Sequence, residues 1–178
     1  MFGCPMIHPE LCKVSPPHSG ANLDGDGDWV GGWMELKEGV DTMSLDGRSG
    51  GATIARLGEH ERRTVVYVAV LPNLLISAHP DYVMTHLLTP LSADLTHVEC
   101  SWAFPAEAVD RDGFDPSYAV DFWDLTNRQD WAACESVQRG LRSPHYRPGP
   151  LAPVEDAVYR FVTHMARRYF GELGGGPA

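Results

Sequence analysis

The chain has 178 residues, 43% of them hydrophobic and 10% aromatic, which is enough for one sizeable core and far from the composition of a disordered polymer. Its 24 acidic residues outnumber 14 basic ones, and the resulting formal net charge of −10 at pH 7 repels phosphate backbones and argues against nucleic-acid binding. No apolar run approaches the roughly 20 residues that span a bilayer, and the start lacks the basic, apolar, small-residue order of a signal peptide. Four cysteines (Cys4, Cys12, Cys100, Cys134) form no CxxC pair, so the expectation is one cytoplasmic domain over residues 1–178 with reduced thiols and no membrane partner.

Residues 15–60 are rich in Gly, Asp, Ser and Pro and read as loop with a few strands. The run Asp24-Gly25-Asp26-Gly27-Asp28 resembles a calcium loop but lacks the glutamate an EF-hand needs at its twelfth position, so a solvated turn is the better reading. The β-branched and aromatic stretch Arg63 to Ala69 predicts a strand, as do Leu74 to Ser77, Met84 to Pro90 and Thr96 to Phe104. In the last of these Thr96, Val98, Cys100 and Trp102 alternate with His97, Glu99, Ser101 and Ala103, the pattern of one buried and one wetter face. Pro116-Ser117 predicts the start of a helix through Val120, Phe122, Trp123 and Leu125, with a second, longer helix from about Arg128 to Arg139 stopped by Gly140. Four prolines between Ser143 and Pro153 forbid regular structure, and a last helix opens at Pro153 with Glu155 and Asp156 in its first turn. Val154, Val158, Phe161, Val162, Met165 and Tyr169 form its apolar stripe, expected to pack on the sheet. Strands first and helices afterwards predict an α+β fold, an antiparallel sheet curled around the C-terminal helix.

Asp130 stands out among these residues. On a helix it shares a face with Cys134, while Glu135 lies about 100° further round. The plain reading is an exposed first-turn acid that stabilises a helix N-terminus, and for His8 a loop histidine pinned by Pro9.

The stretches Cys4-Pro5-Met6-Ile7-His8-Pro9-Glu10-Leu11, Leu71 to Ser77 with His79-Pro80-Asp81-Tyr82, and Asp130 to Gly140 resemble the catalytic domain of the large subunit of Rieske-type ring-hydroxylating oxygenases. The resemblance covers nearly the whole chain. It implies a helix-grip, START-like fold and a mononuclear Fe(II) held by two histidines and one carboxylate, with open positions for O₂ and a small organic substrate. The family's second histidine falls on His8 and its carboxylate on Asp130, whereas the first histidine's position is Gly3, which has no side chain to ligate a metal. The acidic residue that in the family precedes that histidine would lie before Met1. No Cys-x-His pairs for a Rieske 2Fe-2S cluster occur in the sequence, so electrons would have to come from a separate electron-transfer protein or another chain. The resemblance also implies a homo-oligomer, a trimer in the family.

His79 and His86, and more plausibly His18, are candidate supplements to the metal site, against the commoner reading of sheet-edge or solvent histidines. Trp123, Phe122 and Trp131 can line a pocket or simply fill the core. Glu135 and Gln138 are expected to fix helix packing or to support the metal ligands from behind. Three readings follow: an oxygenase catalytic domain that hydroxylates or oxidatively demethylates a small molecule, a non-enzymatic helix-grip binding protein that has lost redox chemistry, or a coding region that starts further upstream. Apolar surface around Phe2, Met6 and Ile7 predicts self-association.

Overall fold

The computed structural model describes residues 5–23, 25 and 27–171. Six strands, β1 (Ala21–Leu23), β2 (Trp29–Glu35), β3 (Thr64–Val70), β4 (Leu74–Ala78), β5 (Val83–Ser92) and β6 (Leu95–Ala103), form one open antiparallel sheet in sequence order. A short helix α1 (Leu11–Val14) precedes it; α2 (Ala106–Val109), α3 (Ser117–Leu141) and α4 (Asp156–Tyr169) follow. This is the expected α+β architecture, strands then helices, consistent with a helix-grip fold.

The four strands predicted from β-branched and aromatic runs form close to their expected bounds, and β2 comes from the segment read mainly as loop. The register opposes Tyr67 to both Gly32 and Ser77, Met84 to Trp102 and His86 to Cys100, so these side chains share one face of the sheet. Gly31 is needed there, since a Cβ would stand 2.6 Å from the Tyr67 carbonyl oxygen. Pro90 is tolerated in β5 because β4 pairs only as far as Leu87, leaving that end of β5 without a neighbour to serve on one side.

The core lies between one end of this face and the first half of α3. Met34, Val65 and Met84 from the sheet meet Ala119, Phe122 and Trp123 from α3, with Leu11 and Val14 of α1 and Met43 of the long loop closing it. Phe122 and Trp123, each worth about 2–3 kcal/mol on burial, are the sheet's principal helical ballast. Trp123 Nε1 donates to Tyr82 Oη at 2.8 Å, and Tyr82 Oη donates onward to the Met43 carbonyl at 2.8 Å, so both buried polar tips are satisfied. Asp81, 1% exposed, latches three segments: Ser49 Oγ (2.5 Å) and Tyr118 Oη (2.9 Å) both donate to its Oδ2. Gly50 and Gly51 permit this, because a Cβ on either would meet the Tyr118 side chain at 2.6 Å and 2.9 Å.

Two helical expectations are corrected. The two helices predicted around residue 126 are one continuous helix, α3, and Gly140 lies inside it rather than ending it. The reason is that the polar residues at the presumed break are spent sideways. Asn127 bonds to the sheet, Arg128 Nε donates to Asp124 at 2.9 Å within the helix, and Thr126 Oγ1 lies 3.0 Å from the Phe122 carbonyl, so none of them caps a new helix. The C-terminal helix also sits differently. α4 lies against β2, yet its apolar stripe faces outward, with Val154 68%, Val162 51% and Tyr169 86% exposed. Asp156, Arg160, His164 and Arg168 repeat at i+4 on the opposite face and set the roll of the helix. Asp156 accepts from Asn22 Nδ2 at 2.5 Å, His164 and Arg168 pair with Asp28, and Arg160 Nη2 donates to the carbonyls of Gly25, Gly27 and Trp29. The acidic turn of which Asp24 and Asp26 lie outside the described residues thus wraps an arginine with its carbonyls.

Candidate functional site

His8 stands in the turn before α1 and is 9% exposed. Its Nε2 lies 2.9 Å from Oδ1 of Asp130, which α3 projects from its middle. This corrects the reading of Asp130 as a first-turn acid at a helix N-terminus: the helix starts at Ser117, well before it. Nδ1 of His8 lies 2.8 Å from Gln129 Oε1. Gln129 Nε2 in turn donates to Glu10 Oε2 at 3.1 Å, and Thr126 Oγ1 lies 3.2 Å from Glu10 Oε1. Thr126, Gln129 and Asp130 fall at i, i+3 and i+4 of α3, which is why one helix face meets both His8 and Glu10.

The polar residues behind the candidate ligands are therefore Glu10, 5% exposed, and Gln129, half-buried, rather than Glu135 and Gln138. Glu135 is exposed, and Gln138 reaches the Ala93 carbonyl at the β5–β6 turn, a packing contact. The available signal was weak: a glutamate two residues after His8, and a glutamine directly before Asp130 one turn beyond a threonine.

One turn before Asp130 along α3, Asn127 is buried and joins the helix to the sheet. His86 Nε2 lies 3.0 Å from its Oδ1, and its Nδ2 lies 3.6 Å from Cys100 Sγ, a thiol whose pKa burial raises. His86 is thus a sheet-to-helix connector. His79 is neither a solvent nor a sheet-edge histidine: at 3% exposure it stacks on Tyr82 with ring centroids 4.1 Å apart, and Trp123 and Tyr67 present edges to it. His18 is exposed. Phe122 and Trp123 belong to the core, while Trp131 is 42% exposed. Gly3 lies outside the described residues.

The pair His8 and Asp130 fits two neighbouring positions of a metal's coordination sphere. Donors each about 2.1 Å from one ion and at right angles stand about 3.0 Å apart, close to the observed separation. Imidazole nitrogen and carboxylate oxygen are the donor types of the two-histidine, one-carboxylate iron site. Among the described residues no group of three or more His, Cys, Asp or Glu side chains is gathered to hold a metal ion.

An α+β domain with an open antiparallel sheet agrees with the comparison to known families. Over residues 2–171 the chain matches the ring hydroxylating alpha subunit (catalytic domain) family, and it belongs to that family. Among its relatives, it is similar to the glycine betaine monooxygenase oxygenase subunit of Pseudomonas aeruginosa (strain UCBPP-PA14), 28% identical over 142 residues that make up 79% of this chain and 33% of that protein. The corresponding subunit of Chromohalobacter salexigens is 29% identical over 70% of this chain and 28% of its own length. Chloroplastic choline monooxygenase of Arabidopsis thaliana is 28% identical over 67% of this chain and 28% of its own. The chain spans about a third of the length of the curated relatives it matches. Among the described residues no helix is long and apolar enough to cross a membrane.

Proposed function

We propose that residues 1–178 act as one domain, the iron-binding catalytic part of an oxygenase, in which His8 and Asp130 ligate a mononuclear Fe(II). The observation that carries this reading is the 2.9 Å approach of His8 Nε2 to Asp130 Oδ1, two side chains from opposite parts of the chain turned onto each other. Bound and reduced iron supplies O₂ activation, and the protein's own residues hold the ligands and shape the space beside them. With a glycine at the position matched to the first histidine, water or a group from another chain completes the coordination. Electrons come from an iron–sulfur cluster outside residues 1–178, and the outward apolar stripe of α4 suits assembly into a homo-oligomer. The relatives' names direct attention to small quaternary ammonium compounds, glycine betaine or choline, as the substrate class. A cytoplasmic location agrees with Cys12, Cys100 and Cys134 being free.

The test is anaerobic reconstitution with Fe(II) followed by metal analysis of the purified chain and of Asp130→Ala. Stoichiometric iron lost in the variant supports the reading; no iron in either overturns it.

The shortage of a third protein ligand among the described residues favours a second reading, a non-enzymatic helix-grip binding protein. Such a protein retains an apolar ligand with the same affinity whether or not iron is supplied.

A further inference from the structure

We propose that Gln129 and Glu10 are positioning residues that keep a hydrogen on Nδ1 of His8, so that Nε2, the nitrogen 2.9 Å from Asp130 Oδ1, is the one a metal takes. The inference rests on the reading of His8 and Asp130 as a ligand pair, and it assigns the orientation of that pair to two residues outside it.

The argument is a matter of donors and acceptors. A carboxylate only accepts, so Glu10 Oε2, 3.1 Å from the Gln129 amide, must face the NH₂ end of that amide. The opposite orientation would set two acceptor oxygens against each other inside a buried site, with the full cost of an unmade bond to a charged group. With Nε2 of Gln129 committed to Glu10, the atom left for His8 is the carbonyl oxygen Oε1, 2.8 Å from Nδ1. A carbonyl oxygen cannot donate, so Nδ1 must carry the hydrogen. Glu10 is itself held: it is 5% exposed, and the Thr126 hydroxyl stands 3.2 Å from its other oxygen, sharing one proton between that carboxylate and the Phe122 carbonyl at 3.0 Å. The chain of bonds starts at the α3 backbone and ends at the imidazole, so the helix that carries Asp130 also dictates which nitrogen of His8 faces it. Asp130 Oδ1 only accepts as well, so in the metal-free chain it competes for a hydrogen on Nε2, 2.9 Å away, and a bound cation takes the place of that hydrogen while Nδ1–H stays on Gln129. The ring nitrogen that ligates is selected by the bond its partner nitrogen makes.

The experiment reads the tautomer directly. Long-range proton–nitrogen correlation spectra of the nitrogen-15-labelled, metal-free Asp130→Ala chain at pH 8, in which the competing acceptor at Nε2 is gone, distinguish Nδ1–H from Nε2–H for His8, assigned by comparison with the same chain carrying His8→Gln. The Asp130→Ala chain is expected to show Nδ1–H. Gln129→Leu, which keeps the shape and removes the amide, should move His8 toward Nε2–H in that background and, with Asp130 present, weaken Co(II) binding, used as the probe metal, about 10- to 100-fold with unchanged circular dichroism. The reciprocal swap Glu10→Gln with Gln129→Glu, which lets residue 10 donate and residue 129 accept, should restore Nδ1–H and most of the Co(II) affinity, a rescue that a merely structural role would not produce. An Nε2–H signal in the Asp130→Ala chain, or a spectrum there that Gln129→Leu leaves unchanged, overturns the proposal. Should the tautomer behave as expected while no metal binds to the wild type, the lock stands and the ligand reading falls, so the two failures are told apart.

Discussion

His8 Nε2 and Asp130 Oδ1 stand 2.9 Å apart although 122 positions separate them along the chain. The Asp130 side chain is 56% exposed, so its contact with His8 contributes little to stability while its carboxylate is well placed for a cation. Asp130→Asn, which keeps the shape and removes the charge, should change the unfolding free energy by less than about 1 kcal/mol. The same variant should weaken divalent-metal binding at least tenfold in calorimetric titration. A large stability loss with metal affinity intact would mean that the pair is a structural clasp.

His79 should make the protein acid-sensitive. Burial pushes its pKa down to about 3, and neither ring nitrogen has a hydrogen-bond partner, so it is neutral in the native state. In the unfolded chain it binds a proton below about 6.5. The unfolded state therefore holds more protons between the two values, and stability is fully present above about 6.5 and lost as the pH falls toward 3. The slope from this group approaches about 1.4 kcal/mol per pH unit within that window. His79→Phe, which keeps the stacking on Tyr82, should lose less stability than the wild type between pH 7 and pH 4.5 in urea titrations. Equal losses would show that other groups govern acid unfolding.

Asp81→Ala should cost about 2–3 kcal/mol, because two hydroxyls, of Ser49 and Tyr118, lose one charged acceptor inside the protein. Urea denaturation measures the loss. Amide exchange in residues 44–53 and at the start of α3 should quicken together, as the latch joins those segments; faster exchange in one alone would contradict the shared latch.

Arg160→Met should loosen α4 while sparing the sheet. It removes the donor shared by the Gly25, Gly27 and Trp29 carbonyls, and hydrogen exchange in α4 should rise at least tenfold relative to β3 and β4. Unchanged protection of α4 would show that other contacts anchor it.

The outward stripe of α4 predicts self-association. Phe161→Ser with Val162→Ser removes two residues that are 41% and 51% exposed, so the substitutions cost the core little. Sedimentation should show a concentration-dependent oligomer in the wild type and a shift toward monomer in the double variant. A wild-type monomer at high concentration would refute it.

Strands β3 and β6 were legible because Thr64 to Val70 is a run of β-branched and aromatic residues and Thr96 to Trp102 alternates, signals carried within a few residues. The helix limits were less so: Thr126-Asn127 has the look of a start signal, and its true use depends on His86, Cys100 and Glu10 lying within reach of it. The amphipathic pattern of α4 was also plain, but a helical period says only that two faces differ. Which face meets the sheet was settled by Arg160 and His164 finding the β1–β2 connection.

Residue identities alone determined the chemistry on offer at the candidate site: an imidazole at position 8 and a carboxylate at position 130. Donor types are properties of side chains and need no fold to be read. Distance, burial and hydrogen-bond direction are properties of pairs, and only the packing of α3 against the turn before α1 decided them. That packing brought Asp130 onto His8, placed Gln129 and Glu10 behind the ring, and moved His79 from a candidate ligand into the aromatic core.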